Sequence, residues 1–174
     1  LNPARGILPE ADVLALAAGT RARGGFVSDK AMPDGSRSPY EMNINFMDAI
    51  APEPSASGPA RLAQRMIAAH AIMLALQGVP GIYFHSLFGS RGWLEGVKQT
   101  GRNRTINREK CQLDQLQNEL EDENSLRSKV FTRYRQLLTA RRNTPAFHPY
   151  GTQHILDVHP SVFAVERISP DGKS

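Results

Sequence analysis

The chain has 174 residues, enough for one ordinary domain with a sizeable core. Its apolar fraction of 40% and charged fraction of 22% argue against a disordered or membrane-embedded class, and no apolar run approaches the roughly 20 residues that cross a bilayer. The net charge of +4, from 21 basic and 17 acidic residues, is that of a solvated surface, and no aromatic-interleaved basic stripe points to nucleic acid.

The opening Leu1-Asn2-Pro3-Ala4-Arg5 carries neither an initiator Met nor a signal-peptide pattern, and the closing Ser169-Pro170-Asp171-Gly172-Lys173-Ser174 reads as a hairpin turn without a returning strand. Both ends are expected to belong to something larger. Pro9-Glu10-Ala11-Asp12 opens a helix, with Pro at a first-turn position and acids at the positive end of the dipole. Leu8, Val13, Leu14 and Leu16 supply its apolar face, and Gly24-Gly25 ends it. The turn formers from Ser28 to Pro39 predict a long exposed loop between short extended pieces. Tyr40 to Phe46 alternates apolar with polar and predicts a strand, followed by a second loop at 51–59.

The strongest helix is expected from Pro59 to Leu76, where Leu62, Met66, Ala69, Met73 and Leu76 recur at three- and four-residue spacing before Gly78 stops it. Val79 to Phe84 is nearly all apolar, as a buried parallel strand would be, so this helix and strand make one unit of an α/β architecture. From Phe84 to Cys111 the chain is polar with little periodicity, and loops of that length inside compact domains are commonly functional. Helices are predicted at Leu113 to Asn124 and Ser125 to Arg142, the second with Leu126, Val130, Tyr134, Leu137 and Leu138 on one face. Gln153 to Val158 and Ser161 to Glu166 read as two strands joined near His159-Pro160.

Searches for chemistry give little. The five histidines make no HExxH pattern, and the one cysteine, Cys111, makes no CxxC, so no metal site is specified. A lone cysteine also cannot form an internal disulfide, which fits a reducing, cytoplasmic setting. His70, on a packed helix, is expected to be a core or interface histidine. Gly89-Ser90-Arg91-Gly92 is too sparse for a phosphate loop, although nearby cations there would suit an anion. Glu41 is the one acid within an apolar extended segment, with Asp48 seven residues on, whereas Glu119, Glu121, Asp122 and Glu123 read as a solvated helix face.

Val79-Pro80-Gly81-Ile82-Tyr83-Phe84 resembles the last barrel strand of the α-amylase superfamily. Tyr40-Glu41-Met42-Asn43, His85-Ser86-Leu87-Phe88-Gly89-Ser90 and above all Gly101-Arg102-Asn103-Arg104-Thr105-Ile106-Asn107-Arg108 are similar to its sucrose phosphorylase branch. Asn2 to Pro9 is similar to the segment that follows the third catalytic carboxylate there. The resemblance runs in order along nearly the whole chain. It implies an α/β fold, the C-terminal part of a (β/α)8 TIM barrel followed by the first strands of a C-terminal β domain. Residues 1–147 would be the barrel part with its substrate loops, and 148–174 the start of the β domain.

The resemblance also implies a retaining α-glucoside phosphorylase, which moves glucose from a donor sugar to inorganic phosphate and releases α-glucose 1-phosphate. The nucleophilic Asp and acid/base Glu of that family lie on earlier strands, and its third Asp follows a His. No His-Asp pair occurs here, so the chain is expected to hold no catalytic residue and to be inactive alone. Its implied partners are an α-glucoside, phosphate and the upstream part of the barrel, with a homodimer left open and no cofactor.

Arg104, beside Asn103, corresponds to the arginine that holds a distal hydroxyl of bound glucose, a task suited to a rigid guanidinium fork. Tyr40 and Glu41 correspond to a loop beside the acceptor subsite, or else are plain hairpin residues. Sucrose-specific members carry Gln where Glu41 stands, and the Pro39-Tyr40-Glu41 form is more similar to relatives acting on glucosylglycerate. A hydrolase or transglucosidase of the same superfamily, and a noncatalytic carbohydrate-binding or interaction domain, are the alternatives.

Overall fold

The computed structural model describes residues 1–51 and 58–174, so most of the second expected loop lies outside the described residues. Its helices are α1 (Glu10–Ala22), α2 (Phe46–Ile50), α3 (Pro59–Ala75), α4 (Phe84–Leu87), α5 (Leu94–Thr100), α6 (Leu113–Glu121) and α7 (Leu126–Asn143). Two antiparallel hairpins are formed by β1 (Phe26–Ala31) with β2 (Arg37–Asn43), and β3 (Thr152–Leu156) with β4 (Ala164–Ile168). The chain divides into two compact units, Leu1–Pro54 with Ser90–Leu116, and Ser55–Gly89 with Gln117–Ser174. Among the described residues no helix is long and apolar enough to cross a membrane.

In the first unit, α1 starts after Pro9 with Glu10 and Asp12 in its first turn, where acidic side chains meet the positive end of the helix dipole. Val13, Ala17 and Thr20 are its buried residues, while Leu14 and Leu16 stay exposed, so the inward face is rotated from the one expected. The loop expected from Ser28 to Pro39 is instead a hairpin. Only Met32 to Ser36 turns, with Gly35 at φ 81° and Asp34 Oδ1 accepting the Ser36 N–H at 2.9 Å. Asp34 and Gly35 thus punctuate two strands rather than open a long loop.

β2 also inverts the expected alternation. Tyr40, Met42 and Phe46 are exposed, whereas Asn43 and Asn45 are buried. Each buried amide has a task. Asn43 Nδ2 donates to Ser28 Oγ at 3.2 Å, and Asn45 Oδ1 accepts the Met47 N–H at 2.9 Å, capping α2. Leu8, Leu16, Met42 and Ile44 then line an open apolar groove of about 460 Å³.

In the second unit, α3 packs along α7. The expected limits of both hold within two residues, with Pro59 in the first turn of α3 and Ser125 Oγ accepting the Ser128 N–H to cap α7. The buried stripe of α3 is Leu62, Ala63, Met66, His70 and Leu74, again rotated from the expected one. His70 is a core histidine as expected. Its Nδ1 lies 2.9 Å from the Met66 carbonyl and its ring 4.9 Å from that of Tyr134, and burial holds its pKa below the usual value.

After α3, the segment from Val79 to Phe84 is not a strand, contrary to expectation. Val79 is 82% exposed and Phe84 begins α4. A parallel strand is stabilised by neighbours that accept and donate along both edges, and among the described residues none pairs with this segment. The polar stretch from Phe84 to Cys111 is likewise more ordered than expected, holding α4, α5 and a 3-10 turn, Asn103–Asn107. The last hairpin is present, with Thr152 opposite Ile168 and Leu156 opposite Ala164.

Two arginines tie this unit together. Arg141, from α7, donates to the carbonyl of Leu74 in the last turn of α3 and to those of Leu76 (3.2 Å) and Gly78 (2.6 Å) in the segment that follows it. Arg167, from β4, donates to the Ala75 carbonyl at 3.1 Å. Their guanidinium carbons sit 5.8 and 6.0 Å from the Phe147 ring centroid, so one aromatic ring supports both cations.

Candidate functional site

The candidate site lies wholly in the first unit, where the β1–β2 hairpin meets the 3-10 turn. The hairpin register shifts between Ser28 and Asp29. Ser28 faces Glu41 and Asp29 faces Pro39, so Tyr40 is the extra residue of a β-bulge. Bulges bend a strand and re-aim side chains, and this one places Tyr40, 42% exposed, next to Glu41. Pro39 is tolerated because a two-stranded ribbon leaves one edge of each strand without a ladder partner.

The turn is set by its neighbours. Gly101 ends α5 in the left-handed region at φ 65°. Ile106 is buried, and its carbonyl accepts the Trp93 N–H at 2.8 Å. Asn107 Nδ2 reaches the Ile44 carbonyl at 3.2 Å, just beyond β2, and Thr100 Oγ1 lies 2.9 Å from Thr105 Oγ1. With Ile106 turned in, Arg104 is left on the outer side with its side chain 59% exposed.

There it meets Glu41. Arg104 Nε donates to Glu41 Oε2 at 3.1 Å, and Nη2 lies 3.0 Å from Oε1, a side-on bidentate ion pair between residues 63 apart in sequence. The hydrogen bond that Arg104 donates to the Glu41 carboxylate, and then that carboxylate's charge, raise the Arg104 pKa above its ordinary value. Arg104, Glu41 and Tyr40 are therefore brought together. Asn103 opens the same turn, half-buried.

Sequence reasoning missed a second carboxylate–arginine contact in this unit. Asp48, on α2, is bound by Arg91 Nε, and its other oxygen accepts the Gly92 N–H at 2.6 Å. A Cβ at Gly92 would stand 3.0 Å from both Asp48 Oδ2 and Ile106 Cγ1, so any larger residue would push on both side chains and the close approach favours glycine. The anion that suits the Ser90-Arg91-Gly92 backbone is thus the protein's own Asp48. Glu41 and Asp48, the acids singled out from the sequence, are each engaged by an arginine. The signal was present in Arg91-Gly92, but nothing in the spacing named its partner 43 residues earlier.

No protein-family model matches the chain. It is 48% identical over 169 residues to a glucosylglycerate phosphorylase of Spirochaeta thermophila, covering 97% of this chain and 28% of that protein. It is 43% identical over 172 residues to a glucosylglycerate phosphorylase of Escherichia coli K12 (99% and 30%), and 39% identical over 154 residues to one of Allomeiothermus silvanus (88% and 28%). The chain thus spans less than a third of the length of these relatives. In fold it is similar to the crystal structure of sucrose 6F-phosphate phosphorylase from Thermoanaerobacter thermosaccharolyticum, with a TM-score of 0.76 and 20% identity, over 97% of this chain and 32% of that one. The resemblance to the sucrose phosphorylase-like branch is borne out. So is the fold class, the C-terminal part of a (β/α)8 barrel with the first strands of a β domain, although the strand expected at Val79 is not formed.

Proposed function

We propose that this chain, similar along nearly its whole length to the sucrose phosphorylase-like branch of the α-amylase superfamily, is the C-terminal part of a retaining α-glucoside phosphorylase acting on glucosylglycerate. The observation that carries the reading is the 39–48% identity to three glucosylglycerate phosphorylases across 88–99% of the chain. In this reaction a carboxylate attacks the anomeric carbon while an acid protonates the departing glycerate oxygen. Phosphate then displaces the enzyme carboxylate, giving α-glucose 1-phosphate. Both reacting carboxylates, and the third that stabilises the transition state, belong to upstream barrel strands, so the 174 residues contribute binding without chemistry.

Within that reaction Arg104, with Asn103 beside it, orients the glucose through a distal hydroxyl, and Tyr40 with Glu41 forms the wall of the acceptor subsite. The bulge at Tyr40 supports this role, because it turns an amphipathic ring outward beside the pair. The engagement of Glu41 by Arg104 removes an objection to it. A bare carboxylate in the acceptor subsite would repel both glycerate and phosphate, whereas a paired one presents little net charge. Residues 1–147 form the barrel part, and 148–174 begin the C-terminal β domain.

The partner of the first unit is the upstream barrel. Its apolar groove, with Leu8, Leu16 and Met42 each more than a third exposed, is a surface that a completed core would cover. The test is release of α-glucose 1-phosphate from glucosylglycerate and phosphate by a chain extended upstream to the length of its relatives. Release from sucrose but not glucosylglycerate would overturn the substrate. Release of free glucose without phosphate dependence would favour a hydrolase.

A further inference from the structure

A guanidinium has five N–H bonds in a fixed plane, on two usable edges. In Arg104 the edge formed by Nε and Nη2 is occupied by the Glu41 oxygens at 3.1 and 3.0 Å. The other edge, Nη1 with the second Nη2 hydrogen, is turned away from that carboxylate by the geometry of the fork itself. A bidentate partner fixes the plane of the guanidinium as well as its place, because two parallel hydrogen bonds resist rotation about either. The exposure of Arg104 matters here too. An arginine more than half exposed and without a tether samples many rotamers, and ordering it on ligand binding costs side-chain entropy.

The backbone of Glu41 is itself fixed, and so is the turn that carries Arg104. Glu41 sits in the β1–β2 ladder opposite Ser28, directly after the bulge. Its strand is joined to the arginine's turn by Asn107 Nδ2 on the Ile44 carbonyl, and the turn is pinned by buried Ile106. The tether therefore runs from one backbone element with defined register to another with a buried anchor.

We infer that Glu41 is a positioning residue for Arg104, holding one edge of the guanidinium so that the opposite edge is presented ready-aligned to two neighbouring oxygens of the bound glucosyl group. The inference rests on the proposed role of Arg104 in sugar binding. It adds that the acceptor-side hairpin and the glucose-binding arginine are one mechanical unit, so that Glu41 acts on donor affinity through Arg104. A glutamine at this position keeps one oxygen for one N–H but loses the charge and the second acceptor, leaving the plane free to turn.

The test is steady-state phosphorolysis of glucosylglycerate by the extended, full-length chain carrying Glu41→Ala, Glu41→Gln or Arg104→Lys. Arg104→Lys, which replaces the fork by a point charge, is expected to raise the KM for glucosylglycerate about tenfold or more. Glu41→Ala should raise the same KM roughly three- to tenfold with a much smaller change in the KM for phosphate, and Glu41→Gln should recover part of the loss. A merely structural role would lower kcat and the melting temperature without this split or this rescue. Unchanged donor KM in Glu41→Ala, with Arg104→Lys still impaired, would overturn the inference and leave the arginine's role standing. No effect of Arg104→Lys would instead overturn the reading beneath it. Should Glu41→Ala fold poorly, heteronuclear NMR of the Arg104 Nε–H in the extended chain decides. Slow solvent exchange in the wild type that becomes measurably faster in Glu41→Gln supports the tether, and equally fast exchange in both contradicts it.

Discussion

Removing the Arg141 side chain tests the arginine arrangement at the end of α3. Arg141→Ala deletes donors to three carbonyls, those of Leu74, Leu76 and Gly78, and the contact with the Phe147 ring. Hydrogen bonds to charged groups contribute about 1.5–3 kcal/mol each in favourable cases. They do not add here, since Arg141 is partly hydrated, and burial, then the nearby like charge of Arg167, lowers its pKa. The orphaned carbonyls can also recover water. A net loss of about 2–4 kcal/mol is therefore expected, two to three effective bonds' worth after the discount. Urea unfolding of the 174-residue chain, followed by far-UV circular dichroism, reads it as a lower midpoint at similar slope. Arg141→Lys should keep a minor part, because an ammonium can serve one or two of these acceptors but cannot span them as a fork. A loss below about 0.5 kcal/mol for Arg141→Ala would refute the reasoning, placing these contacts with ordinary surface interactions.

Four further outcomes follow from the same unit. Gly89 sits at φ 61°, and a Cβ there would stand 2.8 Å from Val130 Cγ2, so Gly89→Ala should cost about 2–4 kcal/mol, with Val130→Ala in the same chain relieving the clash but not the backbone strain. The buried Tyr134 hydroxyl has no hydrogen-bond partner among the described residues, so Tyr134→Phe should be neutral or stabilising by up to about 1 kcal/mol in denaturant melts; a loss of 2 kcal/mol or more would contradict this. Burial pushes the Tyr134 phenol up to about 12, so its neutral form stabilises the fold fully below about pH 10, and that contribution should fade as pH rises from there. His70 titrates in the opposite sense: its pKa is lowered by burial, so its stabilisation is present above about pH 6.5 and is lost as pH falls through the lowered folded value. The stability gap between wild type and His70→Gln should narrow on acidification, and a gap that widens would exclude a buried neutral imidazole.

What the sequence made legible follows from how locally each feature is determined. The helices α3 and α7 could be read because Pro59 and Ser125 mark their starts and their apolar periodicity persists over several turns. Their inward faces were less legible, since Leu and Met on neighbouring stripes score alike and packing selects Leu62, Met66, His70 and Leu74. The β1–β2 hairpin was hidden by Ser28, Asp29 and Lys30, polar residues with weak strand preference that pair because Met32 to Ser36 turns tightly. Val79 to Phe84 failed for a different reason. Its composition describes a strand buried between neighbours, and no such neighbour lies among the described residues. At the site, Arg104 and Tyr40 were singled out only through motif resemblance, and Glu41 also as the one acid in an apolar extended segment. The ion pair of Arg104 with Glu41 spans 63 positions, and no local pattern encodes a contact at that distance. The bulge that places Tyr40 is a property of register, which periodicity does not carry.

The central claim is that these residues bind substrate for chemistry performed by an upstream barrel. It is tested most directly by measuring α-glucose 1-phosphate from glucosylglycerate and phosphate with two purified proteins, the 174-residue chain and the same chain extended upstream to the length of its relatives. The account predicts phosphate-dependent release by the extended protein and none by the shorter one. Release by the 174 residues alone would contradict it, because the reacting carboxylates would then have to lie within this chain, with Glu41 the first to examine.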